Sequence, residues 1–164
     1  YSTVRREGPW AVGLAAVVVL LLLFVDTRRL GATLCMYAPL LCGFVCFLGV
    51  LGWLKIPLNL FNVIVLPTIF GIGVDTSIHL KHRIDDLGNV RRALWTTGRA
   101  AGLAALTTAV GFASLLLVTN EGLRSIASVA VIGIVMITLV TTTGTAALAQ
   151  WGLTRASSSA DGEG

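Results

Sequence analysis

The sequence is poor in charged residues. Of its 164 residues only 12% are charged and only eight are Asp or Glu, whereas 55% are hydrophobic. The mean hydropathy is +0.87. An ordinary soluble domain carries roughly 25% charged residues, so this composition excludes that class and indicates a membrane protein.

Residues that form catalytic and metal sites are also scarce. The chain has two His and three Cys. The cysteines, Cys35, Cys42 and Cys46, lie in one apolar segment. We interpret them as small packing residues rather than as a disulfide or metal site. No hydrolytic triad or nucleotide-binding loop is present, and Gly71-x-Gly73 is too short for a dinucleotide fingerprint. We therefore predict no enzyme activity, no metal and no cofactor. Aromatic residues do not alternate with the basic ones, which argues against a nucleic-acid partner.

Most of the sequence consists of long uncharged runs. A membrane-spanning helix needs about 20 consecutive apolar residues. On this criterion the sequence predicts an all-α, polytopic membrane helix bundle with five transmembrane helices, at about 9–26, 31–54, 57–80, 100–119 and 125–152. Residues 1–8 are expected to end an extracytoplasmic region, and residues 155–164 to form a disordered cytoplasmic tail. Because the chain starts at Tyr1, we expect it to be a fragment.

The distribution of positive charge predicts an orientation. If the five helices alternate, eight Lys and Arg residues fall on one side and four on the other. The positive-inside rule then makes the C-terminus cytoplasmic. The net charge of +4 also suits contact with anionic membrane lipids. In the polar stretch 81–99, apolar residues recur at helical spacing, from Ile84 and Leu87 to Leu94 and Trp95, which predicts a short amphipathic helix on the cytoplasmic surface. A solvated connector is the alternative.

Asp75 is the most informative single residue. Apart from His79 it is the only acid or base between Ile56 and Leu80. A carboxylate at the centre of a membrane helix costs about 2.5–3.5 kcal/mol on insertion scales, so such a residue usually has a function. A low dielectric disfavours its ionised form, which suits a group that takes up and releases a proton. His79, one helical turn further on, could exchange protons with it. Alternatively, Asp75 is a structural acid and His79 extends to lipid headgroups.

Small residues and one proline surround Asp75. Pro67 frees a backbone carbonyl, and Gly71 and Gly73 allow a neighbouring helix to approach, so we expect a kinked, closely packed helix. In the fourth span, Gly111 belongs to a similar face of small residues. Thr107 and Thr108 are candidate hydrogen-bond partners for Asp75, unless their hydroxyls bond to their own helix, as those of Thr141-Thr142-Thr143 also could.

Two motifs resemble a known family. The first motif consists of Leu66-Pro67, Gly71-Ile72-Gly73-Val74-Asp75 and Ile78-His79-Leu80, and the second is the run from Leu106 to Leu115. Together they resemble the resistance-nodulation-cell division (RND) superfamily. The resemblance is strongest to its MMPL branch, which includes hopanoid exporters and the Patched and sterol-sensing relatives. The resemblance covers residues 10–152. It implies helices two to six of a six-helix half, and the polar tail favours the C-terminal half.

The resemblance also implies a function. Asp75 would relay protons in an exporter of lipids or hydrophobic compounds in the bacterial inner membrane, driven by the proton-motive force, with the other half of the transporter and further copies as partners. Many MMPL proteins have Tyr after this acid, whereas this chain has Thr76; Thr76, His79 and the Thr107-Thr108 pair are the candidate substitutes. The alternatives are a Sec-type protein-export accessory and a sterol- or lipid-sensing module without transport activity.

Overall fold

The computed structural model describes residues 17, 21, 30–56 and 60–161, and its regular structure in these ranges is entirely helical, as predicted. It contains three long helices, and a series of shorter helical segments connects the second of them to the third. The elements are α1 (Leu30–Trp53), α2 (Leu60–Leu87), α3 (Val90–Ala93), a π-helical turn (Leu94–Gly98), α4 (Arg99–Ser114), a 3₁₀ turn (Leu115–Leu117) and α5 (Glu121–Asp161). The chain from Val90 to Leu117 is thus one nearly continuous helical rod.

Helix α5 is the centre of the bundle. It packs against α1, α2 and α4, whereas α2 and α4 scarcely touch each other. The core consists of large apolar side chains from α1, α2 and α5 with two alanines from α4, and its fully buried members include Leu40, Phe47, Ile69, Val129 and Ile137. The ring of Phe70 meets that of Phe44 edge-on at 5.4 Å between centroids. Aromatic pairs favour this geometry.

Three helices of the described chain are long and apolar enough to cross a membrane: Thr33–Trp53, Val90–Leu117 and Glu121–Thr154. They correspond to the second, fourth and fifth predicted spans. The third predicted span lies in α2, which continues beyond residue 80 into the charged stretch Lys81–Asp86. The first predicted span lies outside the described residues except for Val17 and Leu21.

Two expectations from the sequence differ from the structure. Residues 81–99 do not form a separate surface helix, because 81–87 extend α2 and the rest begins the rod that contains α4. Of the apolar side chains of that stretch, Ile84 lies in a buried cluster with Leu80, Val90, Ala93, Ala146 and Ala149, Leu87 and Leu94 pack against this cluster, and Trp95 is exposed. Helix α5 also reaches Asp161, beyond the start of the predicted tail at residue 155.

The reversal between α2 and α3 follows from two residues. Gly88 has φ +56°, a backbone conformation that suits glycine. Asn89 then caps α3, its side-chain oxygen accepting a hydrogen bond from the backbone N–H of Arg92 at 3.0 Å. The chain therefore turns within two residues, and α2 and the following rod meet at this end.

Candidate functional site

Asp75 lies on the face of α2 that points away from the bundle. Its side chain is exposed, as are Thr68 before it and His79 and Asp86 after it, which lie at helical spacing along the same face. The opposite face, which includes Ile69 and Ser77, is buried against α1 and α5. Among the described residues Asp75 has no hydrogen bond or ion pair. The described chain therefore does not enclose the carboxylate, in contrast to the expectation of a buried acid.

The two residues after Asp75 point into the bundle. Thr76 is buried, and its hydroxyl donates to the carbonyl of Ile72 at 2.8 Å. Ser77 is fully buried and donates to Gly73 O at 3.0 Å and, across to α1, to Met36 O at 3.4 Å. Successive helical residues differ by about 100° in direction. The hydroxyl of Thr76 is thus directed to its own helix and not to the Asp75 carboxylate.

The threonine pair of α4 does not reach Asp75 either. Thr107 and Thr108 are exposed, and both hydroxyls donate to the carbonyl of Ala104 at 2.8 Å. This is the bonding to their own helix that the sequence allowed as the alternative. Since α2 and α4 hardly touch, the described chain leaves an open side between them, with Asp75 on one helix and the two threonines on the other.

His79 lies between Asp75 and a groove at one end of the bundle. It is exposed, lies one turn after Asp75 on the same face, and lines an open groove of about 460 Å³ between α2 and the π-helical turn. The remaining lining residues are His82, Arg83, Asp86, Thr96, Thr97 and Ala100. The residues that line this groove, which we call the polar groove, are thus mostly polar or charged, with both signs of charge, and Asp75 lies close by in the apolar part of the same helix.

The predicted packing glycines differ in their surroundings. At Gly73 an added Cβ would lie 2.5 Å from both Ile137 Cγ2 and Leu40 Cδ1, so α2 passes α1 and α5 closely there. At Gly71 and Gly111 an added Cβ would meet nothing within 4 Å. Pro67 is exposed and lies within an uninterrupted helix.

Sequence reasoning missed two close contacts of α5. An added Cβ at Gly133 would lie 3.0 Å from the ring of Phe47 and would also meet Ile69, and one at Gly144 would lie 2.7 Å from Pro39 Cβ. Both glycines lie in a long apolar run of the sequence, and nothing in that run predicts which residues of other helices they contact. Their positions show that α5 is the helix around which the others pack.

Buried polar groups inside the bundle were also missed. Asn62 is fully buried and accepts a hydrogen bond from Ser125 of α5 at 3.1 Å. On α5, the buried hydroxyls of Thr138, Thr141, Thr142 and Thr145 have no hydrogen-bond partner among the described residues. Of the predicted self-bonding run, only Thr143 donates to its own helix, to Leu139 O at 2.7 Å. A hydroxyl-rich stripe therefore runs along the inner face of α5.

The cysteines are free thiols, partly buried at Cys35 and exposed at Cys42 and Cys46. Within residues 30–56 and 60–161, no three His, Cys, Asp or Glu side chains are grouped so that they could hold a metal ion. The chemistry available on the outer face of α2 is therefore that of the Asp75 carboxylate in the apolar part of the helix and, further along, of imidazoles, a guanidinium and the Asp86 carboxylate.

Comparison with known proteins identifies similar sequences. Residues 2–152 match the family described as "Protein export membrane protein SecD/SecF, C-terminal". The hopanoid transporter HpnN of Rhodopseudomonas palustris is 30% identical over 123 residues, which are 74% of this chain and 13% of that protein. A protein of Methanocaldococcus jannaschii named as a membrane protein, MJ1562, is 30% identical over 114 residues, 65% of this chain and 29% of that protein. No solved structure matches. The chain thus spans less than a third of the length of either relative.

Proposed function

The chain belongs to the SecD/SecF C-terminal family of protein-export membrane proteins, and from this premise we propose that it is the membrane half of an exporter that is driven by the proton-motive force and moves lipids or hydrophobic compounds. A role in membrane transport is supported by the family and by the transporter of Rhodopseudomonas palustris. The coupling ion is the proton, and Asp75 carries it.

One observation supports this role of Asp75 above the others: a carboxylate without a partner on the outer face of a helix whose preceding residues are apolar. An ionised carboxylate that faces acyl chains costs several kcal/mol, whereas a protonated one, or one that contacts another part of the protein, does not. The face of α2 that carries Asp75 is therefore a contact with the rest of the transporter. This chain covers only a small part of the length of either relative, which agrees with further protein that contacts this face.

Proton transfer would then alter how the halves fit together. Uptake of a proton removes the charge of Asp75 and with it the need for a polar partner, so the contact between the halves changes with each proton carried. His79, on the same face and at the edge of the polar groove, is the group through which the proton would pass between Asp75 and water. Thr76, whose hydroxyl donates to Ile72 O, is not part of this route.

The cargo has two candidates. The likeness to a hopanoid transporter favours a lipid or another hydrophobic compound. The description of the matching family, which names protein export, favours a secreted polypeptide as the second candidate. A lipid-sensing module without transport activity would have no need of an unpaired carboxylate at Asp75.

The topology follows from the same proposal. The loop between α2 and α3 and the end of α5 lie at one end of the bundle, because α1, α2, the α3–α4 rod and α5 alternate in direction. This end carries Arg83, Arg91 and Arg92, so the positive-inside rule makes it cytoplasmic in the bacterial inner membrane.

The decisive experiment compares Asp75→Asn with Asp85→Asn in the full-length protein. Asp85 is the matched control, a carboxylate of the same helix that is ion-paired to Lys81 outside the apolar stretch. In proteoliposomes with an imposed pH gradient, Asp75→Asn should reduce export of a labelled hopanoid to the level of empty vesicles, and Asp85→Asn should leave it unchanged. Both variants should insert into the membrane normally.

Two outcomes would contradict the proposal. Near-normal, gradient-dependent lipid export by Asp75→Asn would remove the relay. If wild-type vesicles export no lipid but cells with Asp75→Asn accumulate unsecreted proteins, the cargo is polypeptide and the second candidate replaces the first. Asp75→Glu, which keeps a titratable carboxyl, should retain part of the activity.

A further inference from the structure

The polar groove at the α2–α3 end has a charge pattern that the relay does not use. Besides His79 it is lined by Arg83 and Asp86 of α2, and by Thr96 and Thr97 of the π-helical turn. In the described part of the chain Arg83 and Asp86 form no ion pair, with each other or with another residue, although Lys81 and Asp85 of the same stretch do. The groove therefore exposes a free guanidinium and a free carboxylate side by side.

The groove lies at the boundary of the apolar part of the bundle. Helix α2 passes there from its apolar stretch into the charged stretch Lys81–Asp86. Trp95, in the neighbouring turn, is 61% exposed, and the guanidinium of Arg99 lies 5.3 Å from its ring centroid. Exposed tryptophans with nearby arginines are typical of the level of lipid headgroups. The groove thus opens where a phospholipid headgroup would be.

We propose that this groove binds the headgroup of a phospholipid that carries a primary amine, with its phosphate on Arg83 and Thr97 and its ammonium group on Asp86. A guanidinium binds phosphate through two parallel hydrogen bonds. The Thr97 hydroxyl has no hydrogen-bond partner among the described residues and can donate, whereas that of Thr96 already donates to Arg92 O and Ala93 O. The imidazole of His79 adds a donor on the α2 side.

The carboxylate decides the type of lipid. Asp86 would repel a headgroup that is only anionic, such as phosphatidylglycerol. The quaternary ammonium of phosphatidylcholine has no N–H and so cannot donate a hydrogen bond to the Asp86 carboxylate. A primary ammonium satisfies it with a charge-assisted hydrogen bond. Arg83 and Asp86 are three residues apart, about 4.5 Å along the helix axis, so one small zwitterionic headgroup can reach both.

The proposal concerns a lipid of the surrounding bilayer, and it holds whichever cargo is exported. Its test is native mass spectrometry of the full-length protein released from nanodiscs made of phosphatidylethanolamine, phosphatidylglycerol or phosphatidylcholine. Wild type should retain phosphatidylethanolamine in preference to the other two. Arg83→Gln should weaken retention about tenfold, the loss expected for one charged hydrogen bond. Asp86→Asn should remove the preference over phosphatidylcholine.

Three controls make the result interpretable. Arg91→Gln removes an exposed arginine outside the groove and should change nothing, whereas an equal loss would indicate general attraction to the membrane and overturn the site. Asp75→Asn should leave the preference intact, which separates this site from the relay. Soluble glycerophosphoethanolamine carries the same headgroup without the acyl chains and should displace the lipid only in large excess; displacement at a concentration equal to that of the lipid would assign the groove to a free phosphate ester. An unchanged preference in both groove variants would assign the groove to no ligand, and either of these two results would overturn the proposal.

Discussion

The close passage of α2 at Gly73 allows a quantitative test of the packing. Replacement of Gly73 by Ala adds a Cβ 2.5 Å from Ile137 Cγ2 and from Leu40 Cδ1, and both of these residues are fully buried. Carbon atoms in contact lie about 3.5–4.0 Å apart. The helices must therefore separate by about 1 Å, or two core side chains must leave their rotamers. Overpacking of this kind costs about 1–3 kcal/mol.

Gly71 provides the matched control. It lies in the same helix two residues earlier, and an added Cβ there meets nothing within 4 Å. Both substitutions bring the same gain in helix propensity, up to about 1 kcal/mol from Gly to Ala. The difference between the two variants thus isolates the steric cost, and Gly73→Ala should be less stable than Gly71→Ala by about 1–3 kcal/mol.

The measurement is reversible unfolding of the two variants in mixed micelles, followed by circular dichroism. If the two midpoints coincide, α2 does not pass α1 and α5 as closely as the structure indicates, and the account of the core around Ile137 fails. A larger loss for Gly71→Ala would mean that another part of the transporter packs on the outer face of α2 more tightly than α5 packs on the inner face.

Two further predictions concern buried and exposed polar groups. Thr141→Val keeps the shape of a fully buried side chain whose hydroxyl has no partner in the described chain, so it should stabilise the bundle by about 1 kcal/mol in the same assay; destabilisation would show that the hydroxyl is used. Asp85→Asn removes a surface ion pair with Lys81 and should change stability by less than about 0.5 kcal/mol, with little dependence on salt; a loss above 1 kcal/mol would contradict its description as a surface pair.

The sequence was sufficient to predict the helices but not their faces. Apolar runs long enough to span a membrane identified α1, α4 and α5, because length and hydropathy are properties of a segment alone. The side of α2 that packs inward depends on its neighbours, and a helix that is apolar all round carries little periodic signal. Hence the sequence identified Asp75 as a candidate site residue but did not predict that it faces away from α5.

The ends of helices and the contacts of glycines likewise depend on neighbouring helices and could not be predicted from the sequence. A charged stretch beginning at Lys81 suggested that the helix ends there, yet α2 continues to Leu87 because Ile84 packs against Ala146 and Ala149 of α5. A glycine in a sequence indicates where a close approach is allowed, and its contacts depend on the tertiary arrangement. Gly133 and Gly144 meet neighbours, whereas Gly71 and Gly111 meet none in the described chain.

Under the proposed function the two faces of α2 have different roles, and this allows effects on stability to be separated from effects on activity. The inner face carries Ile69, Gly73 and Ser77, which hold the helix to α1 and α5. The outer face carries Asp75 and His79, which contribute no recorded hydrogen bond or ion pair to the described bundle. Substitutions on the inner face should therefore lower stability and reduce transport only through the loss of folded protein. Substitutions on the outer face should reduce transport in a protein of unchanged stability, which is the behaviour expected of a charge that moves with a proton.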